Sequence, residues 1–582
     1  MSDFSSAARA DIPFRNSIRE PMIKMDWICL VAIILVGSVL YFPRLGARDL
    51  WNPNEPGYAE ASREMMEYGN LIYPLTNGIA RGEKPAPYYW LIIVSSRLLG
   101  DVTGVSSRLP SALCAVLLLL VTFVFARKFM PPVGSLVTTL VLATSFRFSW
   151  QARWAEPDMA LALFVTLSMY FAFRRLCSTS DARLPASGVY LAAVSAALMK
   201  GPVGMAIPFL SVATFIASSG NRRRLALKRI EPLWGATICL MVLLPFYTAV
   251  AWSAGSGYMY DLLIHQNMAR FFLGFDHRER FFYYLYSVMG DFAPFSAFLL
   301  AGLIWTFRKA KTEKRDDLRF LLCWFLTGLI FLSLSSSKRE VYMLPLFPAA
   351  ALMTGLVCEE WRTLSRLPVW LGELPARFTR IALVAVALGL VAFVANPFGS
   401  AAHIYAAIDA TGFPSSTARQ LMIPAAILST AIAATAFWTG LRDRRLAFLL
   451  CVAGFGAAAT SYVQIVVLPA VNPYKSARTA GTRIATLLPA GSRFGGFAPG
   501  TRGPWVDRIF LWDAYLFYSR RQIVLLNSEP ELASYLSGSE RKVVLMKNED
   551  YVHLPEQTKA VIRLVEGVRV GHKSILVVSN LP

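Results

Sequence analysis

Between residue 26 and about residue 470, long apolar blocks alternate with short polar stretches. A helix needs roughly 20 mostly apolar residues to cross a bilayer. Thirteen stretches fit that pattern. They lie near 26–43, 108–128, 131–150, 158–174, 186–200, 202–219, 232–253, 287–307, 318–335, 341–358, 379–396, 420–439 and 446–469. The block Pro87–Gly100 is also apolar but has only about fourteen residues, which suits an interfacial or re-entrant helix. After residue 470 the pattern changes. Lys475–Leu488 has helical spacing and Glu529–Leu536 reads as a short helix. Arg493–Ala498, Gln522–Leu526, Lys542–Met546 and Ser574–Val578 read as strands. The expected fold is an α-helical polytopic membrane domain, residues 1–470, followed by a small α/β domain, residues 471–582.

Charge then orients the spans. With the N-terminus inside, the even-numbered spans run into basic clusters. These are Arg127/Lys128, Arg174/Arg175, Arg222/Arg223/Arg224, Arg308/Lys309/Lys311, Arg362/Arg366 and Arg442/Arg444/Arg445. Cytoplasmic loops collect Lys and Arg in this way. Counting Pro87–Gly100 as a span would move every later cluster outside, so it is placed along the membrane surface. An odd span number puts the C-terminal domain on the outer, periplasmic side, together with long segments 44–107 and 254–286 and a 397–419 loop. The first 24 residues are polar and no cleavable signal is evident, so the first span reads as retained.

Composition changes the picture little. The chain has 582 residues, 55% hydrophobic and 16% charged, against about 25% charged in soluble domains. The net charge of +21 sits largely in the inner loops, and no basic stripe marks a nucleic-acid surface. The seven cysteines form no CxxC pair and none lies beyond residue 470, so neither a disulfide framework nor a thiolate metal site is expected.

Candidate chemistry gathers in the segments assigned to the outer side. Ionisable groups at membrane depth are costly and mark functional sites. The first outer segment carries Glu55, Tyr58, Glu60, Arg63, Glu64, Glu83 and Lys84. Arg153, Glu156 and Asp158 follow between the third and fourth spans, and Lys200 stands between the fifth and sixth. His265, Gln266, Asn267, Arg270, Asp276, His277, Arg278 and Arg280 lie in 254–286, and Lys338, Arg339 and Tyr342 lie between the ninth and tenth spans. Cations there can neutralise a phosphodiester and its departing phosphate. A carboxylate can take a proton from an attacking hydroxyl. Each residue has a plainer reading too. Glu60, Arg63, Glu64 and Glu67 have the spacing of helix-surface ion pairs. Asp158 can cap a helix, and Lys200 can snorkel to the head groups.

Ordered motifs add a resemblance. Leu50-Trp-Asn-Pro-Asn-Glu-Pro-Gly-Tyr-Ala-Glu60, Ser62-Arg63-Glu64-Met65, Glu83-Lys84-Pro85, Pro157-Asp158, Met199-Lys200-Gly201, Ala269-Arg270-Phe271 and Ser337-Lys338 with Tyr342 occur in one order over residues 45–350. Together they resemble the aminoarabinose transferases that modify lipid A, a GT-C group related to the protein O-mannosyltransferases. The resemblance implies a GT-C bundle with about 13 spans in the bacterial inner membrane and an undecaprenyl-phosphate sugar donor. It implies an acceptor that is lipid A or another envelope glycan, and inversion at the sugar carbon. Glu55, Asp158 and Glu83 would be catalytic. Asn54, Tyr58, Lys84, Lys200, His265, Arg270, Lys338 and Tyr342 would bind substrate. No cofactor is firmly implied, and a divalent cation beside Glu83 and His265 is left open. The family usually has Asp-Glu at Asn54-Glu55, and Arg at Gly57. Alternatives are a protein O-mannosyltransferase-like enzyme and a lipid-linked-sugar flippase.

Overall fold

A computed structural model describes residues 22–177, 185–274, 277–363, 367–396, 399, 401–411, 413–442, 444–499, 512–571 and 573–581. Each of the thirteen apolar stretches falls on a helix or a bent helix pair. Among the described residues, nine helices are long and apolar enough to cross a membrane. The pair Tyr283–Asp291 and Ser296–Thr312, bent by 120°, makes a tenth, and Pro132–Thr144, Ser187–Lys200 and Val203–Ala217 are apolar but shorter. Pro87–Leu99 forms a thirteen-residue helix. It buries Tyr88, Tyr89, Ile92 and Ile93 and leaves Leu98 and Val94 exposed.

Ion pairs sort the helix ends into two groups. Arg127 pairs with Asp26 at 2.5 Å, Arg319 with Asp316 at 3.1 Å, Lys309 with Glu360 at 3.8 Å and Arg445 with Glu373 at 3.6 Å; Arg175 pairs with Glu231 and Arg222 with Asp316. These pairs stand at the basic ends. Helix Asp158–Cys177 runs from the acidic cluster to Arg174/Arg175, and helix Ser187–Lys200 returns to it. The candidate residues and the basic clusters therefore occupy opposite ends of the same helices.

One expected loop is largely helical. Residues 254–272 continue the helix Pro232–Met259 past a bend at Gly255, where φ is +84°, into a wide π-helical turn at Tyr260–Ala269. Gly255 alone among its neighbours accepts that backbone angle without a Cβ penalty.

The C-terminal chain forms a five-stranded mixed sheet. Beside a small hairpin, β1 (Leu75–Thr76) and β2 (Ile79–Ala80), its strands are β3 (Arg493–Phe497), β4 (Gln522–Leu526), β5 (Val543–Lys547), β6 (Arg563–Val570) and β7 (Lys573–Ser579). The order is β4-β3-β5-β7-β6. β3 is parallel to both neighbours, and β7 is antiparallel to both of its own. Period-two alternation gives the sheet two apolar faces. Phe494, Val543, Leu545 and Val577 pack with helices Arg478–Leu487 and Asp513–Ser519. Phe497, Val544, Met546 and Val578 pack with helix Glu529–Leu536. The sheet domain is seated on the first outer segment. The Tyr518 hydroxyl accepts from Leu50 N at 2.7 Å, Asn472 Oδ1 accepts from Asp49 N at 3.0 Å, and Asn77 Nδ2 donates to Ile523 O at 3.0 Å.

Candidate active site

A cavity of about 290 Å³ lies where the first outer segment meets the helices at 158–177, 187–217 and 260–272. Lys84, Lys200, Arg270 and Tyr342 line its polar side. Leu161, Ile207, Phe271 and Phe331 belong to its apolar wall. A cluster of cations at the mouth of a greasy slot suits an anionic head group carrying a hydrocarbon tail.

Local geometry explains the convergence. The helix of Lys200 ends at Gly201, whose φ of +99° turns the chain away and leaves the lysine at the tip. There the Lys200 ammonium pairs with the buried Asp158 carboxylate and lies 4.5 Å over the Tyr342 ring. Arg270 follows the π-helical turn, and its segment is strapped to residues 335–338. Ser336 N donates to Phe271 O at 2.7 Å and Lys338 N to His277 O at 2.9 Å.

Beside the cavity, Glu83 is half-buried and takes the Arg81 guanidinium on both oxygens at 3.2 Å. Burial works against its charge, but Arg81, Lys84 and Arg270 hold its carboxyl below the usual range. Lys84 Nζ donates to the carbonyl of Glu83 at 2.9 Å. Burial, with the Arg270 and Lys200 charges, pushes its ammonium down to about 7 against the pull of Glu83 and Asp158. Tyr58 packs edge-on against Tyr88, with centroids 5.4 Å apart. Burial raises its hydroxyl, and the charges of Glu156, Glu83 and Asp158 add to the shift.

Other candidates lie elsewhere or are already engaged. Glu55 is fully buried, and Arg108 clamps both its oxygens at 2.7 and 2.9 Å. Arg48 adds a contact at 2.6 Å and Ala155 N donates at 3.0 Å. Burial opposes its charge, yet the two arginines bring its carboxyl down to about 2. A carboxylate so satisfied has the setting of a structural ion pair. Asn54 is one step removed as well, with Nδ2 donating to Glu156 at 2.5 Å. Lys338 is buried and donates to the backbone carbonyls of Glu279, at 3.1 Å, and Ser335. It does not line the cavity, and neither does His265. Arg63 pairs with Glu60 at 2.5 Å and Glu67 at 2.7 Å, while Glu64 accepts from Asn77 N and Gly78 N at 2.6 and 2.8 Å. Asp276 lies outside the described residues. Among the described residues, no group of three His, Cys, Asp or Glu is arranged to hold a metal ion.

A family model, dolichyl-phosphate-mannose-protein mannosyltransferase, matches residues 27–256. An undecaprenyl phosphate-alpha-4-amino-4-deoxy-L-arabinose arabinosyl transferase of Pectobacterium atrosepticum is 30% identical over 386 residues, 64% of this chain and 67% of that one. The chain belongs to this transferase family. A second member, from Proteus mirabilis, is 32% identical over 337 residues, 56% of this chain and 59% of its own. The match to that member, like the match to an uncharacterised Aquifex aeolicus protein at 64% of its length, spans less than two thirds of the relative. The crystal structure of ArnT from Cupriavidus metallidurans bound to undecaprenyl phosphate superposes with a TM-score of 0.74 at 20% identity, over 96% of this chain and 99% of that one. The fold is thus that of the GT-C family, and the protein is a multi-pass protein of the bacterial inner membrane.

Gly57 leaves room for an ion pair. A Cβ there would stand 2.5 Å from Asp513 Oδ2 and 2.8 Å from both terminal nitrogens of Arg81. Any side chain at this position would push on the Arg81–Asp513 pair. Sequence reading passed over Arg81, Asp513, Arg48 and Arg108. Arg108 had a signal, since it is an arginine within the apolar helix Gly104–Ala126. Arg48 and Arg81 are lone cations in a segment the charge rule places outside.

Proposed function

We propose that the protein is an inverting glycosyltransferase that moves a sugar from an undecaprenyl-phosphate carrier to lipid A or another envelope acceptor on the periplasmic side. The observation that carries this reading is the convergence of Lys84, Lys200 and Arg270 at the mouth of an apolar cavity, with Asp158 and Glu83 beside it. Aminoarabinose is the sugar named for the family members matched above. The basic clusters at the far ends of the helices support a periplasmic site.

In this reading the prenyl tail lies along Ile207, Phe271 and Phe331, and the phosphodiester meets Lys84 and Arg270. The acceptor oxygen forms its bond to the sugar carbon from the face opposite the phosphate. The carbon–oxygen bond to the phosphate breaks and its electron pair leaves on undecaprenyl phosphate. Lys84 and Arg270 stabilise that growing charge. An acceptor phosphate is already ionised near neutral pH and needs no base. An acceptor hydroxyl would give its proton to Asp158 or Glu83, because Glu55 is occupied by two arginines.

Purified protein in vesicles, supplied with undecaprenyl-phosphate aminoarabinose and lipid A, should yield lipid A heavier by one sugar, together with free undecaprenyl phosphate, by mass spectrometry. Transfer to a polypeptide instead would favour the mannosyltransferase-like reading. Movement of labelled donor across the bilayer with no new glycosidic bond would replace both readings with a transporter.

A further inference from the structure

Arg81 and Asp513 have no part in the chemistry above, yet they form a buried charge chain that ends on Glu83. Arg81 Nη1 donates to Asp513 Oδ2 at 2.7 Å, and its Nη2 reaches both oxygens of Glu83 at 3.2 Å. Both Arg81 and Asp513 are buried, and Asp513 Oδ1 has no hydrogen-bond partner among the described residues. Burying an acid with one oxygen idle is costly. The arrangement is also built on three separate parts of the chain. Asp513 opens a helix of the C-terminal sheet domain, Arg81 leaves the β1–β2 hairpin, and Gly57 supplies the floor on which both side chains rest.

We propose that Asp513 and Arg81 are positioning residues for Glu83, so that the C-terminal domain fixes the placement and charge of a carboxylate at the cavity. This rests on the glycosyltransferase reading for its effect on turnover. One guanidinium shared by two carboxylates cannot neutralise both. Glu83 therefore keeps negative charge to offer towards Lys84 and Arg270. The other groups bearing on the chain are Glu60 and Tyr58 from helix Glu55–Glu67, Tyr89 from helix Pro87–Leu99, and Asp261, whose β-carbon lies against Gly82.

The test uses the full-length protein in vesicles. Infrared titration of the Glu83 carboxylate, identified by difference against Glu83→Gln, reads its environment without any substrate. Arg81→Gln should raise the Glu83 midpoint by about one pH unit or more, because its guanidinium touches Glu83, and Asp513→Asn, which acts from beyond Arg81, should lower it by a clearly smaller amount. The double variant removes both buried charges together, which guards against misfolding of a single variant, and should also raise the midpoint. In turnover assays, Asp513→Asn should lower kcat roughly tenfold or more while leaving the donor KM within about threefold, as misplacement of a reacting-site group does. An unchanged Glu83 midpoint in the double variant, or wild-type kcat in Asp513→Asn, would overturn the proposal. If the wild-type protein transfers no sugar, the functional reading fails, and the infrared midpoints still decide this one.

Discussion

The Asp158 carboxylate and the Lys200 ammonium form a buried ion pair joining the start of one apolar helix to the end of the next. Lys200 also faces the cavity, so the pair presents a cation to that space, with its counter-charge on Asp158. Removing one partner of such a pair costs about 3–5 kcal/mol because it strands the other. Asp158→Asn alone should therefore lower both stability and turnover. The double variant Asp158→Asn with Lys200→Met should recover most of the stability and none of the activity. A thermal-shift assay beside a transfer assay separates the two effects, and recovery of transfer in the double variant would remove the pair from the site.

Glu55 should behave in the opposite way. Its two arginine partners make it a structural centre, so Glu55→Gln should destabilise the protein by about 3 kcal/mol or more. The pH dependence has a definite sign. The folded carboxyl is held at about 2, below its ordinary 4.5. Its contribution is therefore complete above about pH 4.5 and fades as pH falls towards 2. The variant should lack that part of the wild-type acid transition. If Glu55→Gln were fully stable and only catalytically dead, Glu55 would instead be the base.

Much of this arrangement is legible in the chain, for a physical reason. Lys84, Asp158, Lys200 and Arg270 stand next to apolar runs, where a charge is expensive unless it has work or a partner, so their positions announce themselves. Arg81 and Asp513 do not. They are 432 residues apart, one in the first outer segment and one in the sheet domain, and neither interrupts an apolar run. Strand β6 was hidden for a related reason. It is an edge strand with a bulge between Leu564 and Glu566, so it lacks a clean apolar face. The turn at Tyr260–Ala269 reads as a loop because Asp261, His265, Gln266 and Asn267 interrupt its apolar residues. The carbonyl partners of Lys338 were hidden for the same reason, since sequence shows the cation but not the Glu279 and Ser335 oxygens that it meets.

Lys338 makes a separate prediction. Its ammonium ties Ser335 to Glu279 and so closes the strap that holds the Arg270 segment. Lys338→Met should loosen residues 271–274 and 277–279, seen as faster amide hydrogen exchange there, and raise the donor KM through Arg270. If Lys338 touched the phosphate directly, the variant would lose donor affinity with no change in exchange of that segment.

Lys84 should make donor binding sensitive to pH. In the free site its ammonium titrates at about 7, chiefly because burial and Arg270 oppose its charge. A bound phosphodiester favours the charged form, so binding above pH 7 must take up a proton. Affinity should then fall as pH rises from 7 to 9, with a slope approaching tenfold per unit. A donor analogue whose sugar lacks the amino group is the ligand to use, because its phosphodiester carries one charge throughout that range, whereas the amine of aminoarabinose and the phosphate monoester product both titrate themselves. Lys84→Arg keeps its charge at every pH tested, so its affinity should be flat across the range. Lys84→Met should bind weakly and also without slope. Equal affinity of the wild-type protein at pH 7 and pH 9 would mean that the ammonium is not beside the phosphate.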